Sequence, residues 1–254
     1  MAAHADSASA AATGRGEIEM SDFQQAREKE IAYHEQFYDQ TALFEPGSWL
    51  ARPVAAVMDH LELLKVQDMR ILDLGCGVGR NSIPMAQRVQ DMNGTVVCVD
   101  LLESAITKLR QYAEQHGVAS HIETHVADAQ YFRITPGMYH YIVACSCLEH
   151  LSSEEAFVAK LEEMQEGTAP LGIHCIMINT NVKEIDVETG KEQEGLIELN
   201  LSTERAFSIL HRLYADWEIL CERQVHQEIP EVHDGKDIMF CGEWITFTAR
   251  KGAR

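Results

Sequence analysis

The sequence predicts an α/β fold: a mostly parallel sheet, a closing antiparallel hairpin and an N-terminal helical lid. Three observations lead there. The stretch ILDLGCGVGRNSIPMAQ at 71–87 runs from an apolar strand through three glycines into a helix. Short apolar, β-branched runs then alternate with helical patterns as far as residue 178, as strands buried on both faces require. Near the end, two long strand-like runs flank PEVHDGKD, a turn-rich segment that reads as the tip of a hairpin.

Each element follows from its local pattern. Residues 21–40 carry Phe23, Ala26, Ile31, His34, Phe37 and Tyr38 at mixed helical spacing, with Ser21 as cap. EPGSW at 45–49 reads as a turn, and 49–64 as a second amphipathic helix with Pro53 in its first turn. Strands are expected over 71–74, 95–99, 121–126, 139–145 and 172–178. Helices are expected over 81–89, 103–116, with Gly117 as its stop, and 153–165, capped by Ser152 or Ser153. The polar segment 182–195 reads as a loop or insertion. Ser202 caps a helix to residue 214, and the two strands of the hairpin run over 217–228 and 238–251.

Composition limits the functional classes. The 254 residues are 46% apolar and carry a net charge of -19, so the surface repels phosphate backbones and disfavours nucleic acid as a partner. No window of about 18 apolar residues exists to span a membrane. Residues 1–20 are rich in Ala, Ser and Gly and read as a disordered tail without the basic start and Leu-rich core of a secretory signal. Seven cysteines, an odd number mostly inside apolar runs, indicate buried reduced thiols and a cytoplasmic protein, and no CxxC pair offers a structural zinc site.

The glycine turn carries the chemistry. Asp73, Gly75, Gly77 and Gly79 end the first strand, where an open α/β sheet binds nucleotides. Asp100 ends the second strand, 21 residues after Gly79, and suits the two hydroxyls of an adenosine ribose. Asp128, after the third strand, can accept from an adenine amino group. The spacing is GxGxG, not the GxGxxG of a dinucleotide fold, which disfavours NAD.

With LDLGCGVG at 72–79, Asp100, VADA at 126–129 and SCLEHL at 146–151, the chain resembles the class I S-adenosylmethionine-dependent methyltransferases over residues 50–254. APLG at 169–172 stands where that family usually has KPGG, with Leu171 in place of the first glycine. The resemblance implies a Rossmann-like seven-stranded sheet and S-adenosyl-L-methionine as cofactor, with S-adenosyl-L-homocysteine as product and no metal for its binding. It implies a cofactor-facing set of Asp73, Gly75, Cys76, Gly77, Arg80, Asn81, Asp100, Leu101, Asp128, Ala129 and Cys145. GRNS at 79–82, YADWE at 214–218 and ARK at 249–251 resemble, more narrowly, the tellurite-resistance methyltransferases. That group has a His-Arg pair before its last strand. His233 matches the histidine, but Asp234 stands where the arginine would be.

The expected reaction is methyl transfer to a small molecule by in-line displacement, in a monomer or homodimer. A protein methyltransferase and a non-catalytic cofactor-binding regulator are the alternatives. Candidate catalytic residues are His150, placed to meet the substrate, Tyr38 on the lid helix, and His233. Arg80 and Asn81 are expected to position the glycine turn and cap the following helix. Tail, lid (21–66), cofactor-binding core (67–180), and substrate cap with hairpin (181–254) divide the chain, the last three forming one domain.

Overall fold

In the first strand, β1 (Arg70–Leu74), successive side chains enter different layers: Ile71 packs into one apolar cluster, Leu72 and Leu74 into the other. That alternation is the period of a pleated strand covered on both faces. The computed structural model describes residues 22–195, 197–233 and 235–253. The tail 1–20 and the Ser21 cap lie outside the described residues.

Parallel pairing joins β1 to β2 (Thr95–Asp100) and β4 (Tyr139–Cys145), β2 to β3 (Ile122–Val126), and β4 to β5 (Thr168–Asp186). β5 then meets β8 (Lys236–Arg250) antiparallel, and β8 carries β7 (Glu218–His233) on its other side. The order β3-β2-β1-β4-β5-β8-β7 is the seven-stranded, mostly parallel sheet with a terminal hairpin that the sequence predicts. An additional short strand, β6 (Glu192–Glu194), folds back on the end of β5. One face is covered by α2 (Ala55–Leu61), α3 (Ser82–Val89) and α4 (Glu103–Gln115), through Val57, Ile83, Met85, Ile106 and Leu109. The other is covered by α5 (Glu154–Gly167) and α6 (Thr203–Leu213), through Phe157, Leu161, Ile209 and Leu210. Ser153 and Ser202 cap these two helices by accepting from Ala156 N and Arg205 N. α1 (Asp22–Gln40) leans on α4, where Lys108 donates to the Tyr38 carbonyl and to Asp39.

Several expectations need correction. The second helix is shorter than 49–64: a 3-10 turn, Trp49–Ala51, precedes α2, and Pro53 lies outside the helix. β5 does not stop at 178. It runs eight residues further, because β8 pairs with it as far as Asp186 and β6 with its last residues. The polar segment read as a loop is therefore largely strand, and backbone pairing rather than apolar side chains holds it. The hairpin strands are longer for the same reason, pairing down to His233 and Lys236. Leu171 has φ +62, a conformation glycine adopts without strain, consistent with a position where the resembling family has glycine.

A buried polar chain ties β5 to both helices of its face. The His174 ring lies 2.5 Å from Thr168 Oγ1 and 2.7 Å from the Tyr214 hydroxyl, and burial holds it neutral, its pKa lowered to about 3. Tyr214→Phe leaves one ring nitrogen without a partner and should cost about 1–3 kcal/mol in urea unfolding. Tyr131→Phe, at a 73% exposed position, should not change stability measurably.

Candidate active site

The chain order of the sheet reverses between β1 and β4, so the segments leaving their carboxyl ends part there and open a crevice. Gly75 and Gly77 in the turn after β1 both have positive φ, and each faces a different wall. A Cβ on Gly75 would stand 2.7 Å from Cys147 Cβ, in the segment after β4; one on Gly77 would stand 2.6 Å from the Tyr38 hydroxyl, on α1. A side chain at either position would force its neighbour to shift and strain a backbone already at positive φ.

The turn is held by its neighbours' backbone and by acids. Gly75 N and Cys76 N both donate to Val99 O. Asp100 accepts from Gly77 N at 2.8 Å with one oxygen and from Leu102 N at 2.9 Å with the other. Burial raises the Asp100 pKa, and those two N–H groups oppose the rise. Asp73, only 1% exposed, accepts from Ser82 Oγ at 2.5 Å; burial, against that hydrogen bond, pushes its pKa up to about 7.

α1 closes the crevice with a polar face. Arg27, Glu30, His34 and Tyr38 follow one another at three- and four-residue spacing and share that face. Arg27 donates to Asp128 at 2.5 Å and to the His150 carbonyl at 2.7 Å, and stands 3.5 Å from Glu198. His150 Nδ1 lies 2.7 Å from the other Glu198 oxygen. Burial lowers the His150 pKa, but the Glu198 hydrogen bond and the charges of Glu149 and Glu30 outweigh it and lift the group to about 9. Burial, reinforced by the Asp100 charge, holds the Tyr38 phenol well above its ordinary value. Phe37 stacks on Trp49 at 4.9 Å, and Arg80 lies over the same indole while donating to Trp49 O and contacting Cys145 Sγ. Beneath His150, buried Glu149 accepts from Asn179 N and Nδ2 through one oxygen. Its other oxygen, and Asn179 Oδ1, are buried without a partner.

Residues 71–172, spanning this crevice, match a family model described as methyltransferase domain. The ubiquinone biosynthesis O-methyltransferase of Rickettsia felis is 27% identical over 97 residues, which make up 38% of this chain and 36% of that protein. The chain thus spans about a third of the length of this curated relative. Residues 71–172 form a class I methyltransferase domain. Among solved structures, TehB from Haemophilus influenzae superposes with a TM-score of 0.59 at 22% identity, over 86% of this chain and 66% of that one. Phosphoethanolamine N-methyltransferase 2 of Haemonchus contortus, solved with S-adenosylhomocysteine, gives 0.60 at 14% identity over 92% and 61%. At these identities the likeness is one of fold.

In this methyltransferase domain most residues singled out in the sequence converge. Asp73, Gly75, Cys76, Gly77, Asp100 and Cys145 line the turn and the adjoining strand ends, with Asp128 and Ala129 after β3 and half-exposed Leu101 beyond Asp100. One assignment changes. Asn81 does not cap α3 with its side chain; its oxygen accepts from Val54 N, fixing the approach to α2. Arg80, beside the glycine turn, also donates to Trp49 O and so holds the turn before α2. The His233 side chain and Asp234 lie outside the described residues. The His233 backbone pairs with Lys236 at the tip of the hairpin, ten positions along β8 from Thr246, which pairs with Met177. Arg27, Glu30 and Glu198 were not singled out in the sequence. The polar stripe at 27, 30, 34 and 38 was the available signal for the first two; Glu198, in an acidic segment, had none.

Asp73 gives a pH signature. Its carboxyl has an ordinary pKa of 3.8 and one of about 7 in the fold. The folded chain holds that proton across the interval, so the stability it contributes is complete below 3.8 and lost as the pH rises through about 7. The unfolding free energy of Asp73→Asn should therefore gain on that of the wild type between those values and run parallel above them, in urea titrations at stepped pH.

Proposed function

We propose that the protein transfers a methyl group from S-adenosyl-L-methionine to a small-molecule acceptor. The observation that carries this reading is the set of carboxylates after successive strands, Asp100 and Asp128, beside a glycine turn that a side chain would strain. The acceptor groups suit the cofactor. Each Asp100 oxygen uses one lone pair on a backbone N–H, which leaves one on each for ribose hydroxyls. Asp128 keeps acceptor capacity beyond Gln130 N and Arg27 for an adenine amino group. When bound, S-adenosyl-L-methionine supplies a sulfonium methyl whose carbon–sulfur electron pair stays with sulfur, leaving S-adenosyl-L-homocysteine.

The chain's own groups then position the acceptor and exclude water. Tyr38 lies over Gly77 and stays neutral, so it donates a hydrogen bond rather than taking a proton. His150, paired with Glu198, carries positive charge near neutral pH and suits an acceptor that arrives deprotonated. The unpartnered oxygens of Glu149 and Asn179 favour an acceptor with a hydrogen-bond donor of its own. Enclosure beneath α1 supports a small acceptor over a protein side chain, and buried free thiols support a reducing, cytoplasmic setting.

Calorimetric titration with S-adenosyl-L-homocysteine, with NAD as control, tests the cofactor assignment. Only the first ligand should bind, and Asp100→Ala should weaken it by about 1–3 kcal/mol through lost hydrogen bonds to a charged group. Unchanged affinity in the variant would refute the assignment of Asp100. Turnover with thiol, phenol and amine acceptors then fixes the substrate class.

A further inference from the structure

The lid helix and the segment after β4 bring three metal-ligating side chains together. Glu30, His34 and His150 each offer a ligand atom, and these atoms lie within 4.8 Å of one another, a grouping not repeated among the described residues. Glu30 and His34 stand one helical turn apart on one face of α1, with Oε2 and Nε2 separated by 3.4 Å. Two ligands at about 2.0–2.2 Å from a tetrahedral ion are themselves about 3.3–3.6 Å apart. That edge of the triangle is therefore already at bridging distance, and the His150 ligand atom lies within 4.8 Å of both.

His150 is prepared for the role. Its Nδ1 is taken by Glu198 at 2.7 Å, which fixes the ring and leaves Nε2 as its remaining ligand atom. A carboxylate behind a metal-binding histidine orients the imidazole and raises its basicity.

We infer that Glu30, His34 and His150 form a binding site for a divalent transition-metal ion that pins α1 to the core. Two imidazoles and one carboxylate suit zinc, cobalt or nickel over magnesium or calcium. Three protein ligands leave at least one coordination position open. With Tyr38 one helical turn beyond His34 and lying over Gly77, that position is available to an oxygen or sulfur ligand on a molecule entering between α1 and the glycine turn. The site stands on side-chain geometry alone and does not rest on the methyl-transfer reading.

The test is titration of the metal-free full chain with Co2+, followed by visible ligand-field absorption. Wild type should saturate at one equivalent, with the bands of low-coordinate cobalt. His34→Ala and His150→Ala should each weaken binding by about ten-fold or more, and Glu198→Gln, which touches no ion, by about 10–100-fold. Glu188→Gln, at an exposed acid in a turn, should bind as wild type does. Circular-dichroism melting checks that each variant is folded. His34 sits on an outer helix, so His34→Ala alone decides should His150→Ala fail to fold. Absent bands, or wild-type affinity retained in His34→Ala, would overturn the site. Calorimetry with S-adenosyl-L-homocysteine on the same samples reports the cofactor assignment separately.

Discussion

The crevice depends on one carboxylate. Asp100 joins the turn after β1 to the turn after β2 by accepting from Gly77 and Leu102 with its two oxygens. The glycine turn cannot hold itself: its residues have left the β1 ladder and begin no helix until Ser82. Their N–H groups must find partners elsewhere, and Val99 O and Asp100 provide them. The absence of side chains at Gly75 and Gly77 lets Cys147 and Tyr38 approach from opposite sides. Backbone conformation, the packing of α1 and the position of the post-β4 segment are thus set together.

A second constraint is electrostatic. The chain carries an excess of acid, and several carboxylates converge where β1, β2 and β4 end. Their mutual repulsion is relieved in different ways. Burial keeps a proton on Asp73 to about pH 7, His150 pairs with Glu198, and Arg27 reaches Asp128 and Glu198 from the lid. Arg27 brings a positive charge from the helix covering the crevice, so the seating of that helix follows from charge as well as from the stacking of Phe37 on Trp49. Few apolar residues of α1 are fully buried, Ala26 and Tyr38 among them, as expected of a helix over a polar crevice.

Much of the fold was legible because strands buried on both faces leave apolar runs: TVVCV and YIVAC are continuous, and ILDL is broken only by Asp73. The extension of β5 was not legible. VKEID carries the mixed polarity of a loop, and only pairing with β8 and β6, from residues more than 50 and about 10 positions away, makes it strand. The positions of Asp100 and Asp128 were legible because their place after a strand fixes where they stand. The partners of His150 were not. Glu198 lies 48 residues along the chain and Arg27 123 residues back, distances at which no local periodicity speaks. Asn81 was misread for a related reason: a residue before a helix reads as a cap, yet the N–H it satisfies belongs to Val54.

The Thr168–His174–Tyr214 chain has a consequence for alignment. β5 lies between a parallel and an antiparallel neighbour, and its pairing with β4 is irregular near its start. Apolar Ile173, Cys175, Ile176 and Met177 would fit the flanking layers in more than one setting. A shift of one residue would send His174 to the opposite face, away from both hydroxyls, as a buried polar ring with no partner. The same shift would turn the Asn179 side chain away from Glu149, further along the strand. The buried histidine therefore acts as an indexing pin. It selects one pairing of the longest strand, and so determines which side chains that strand delivers to the crevice.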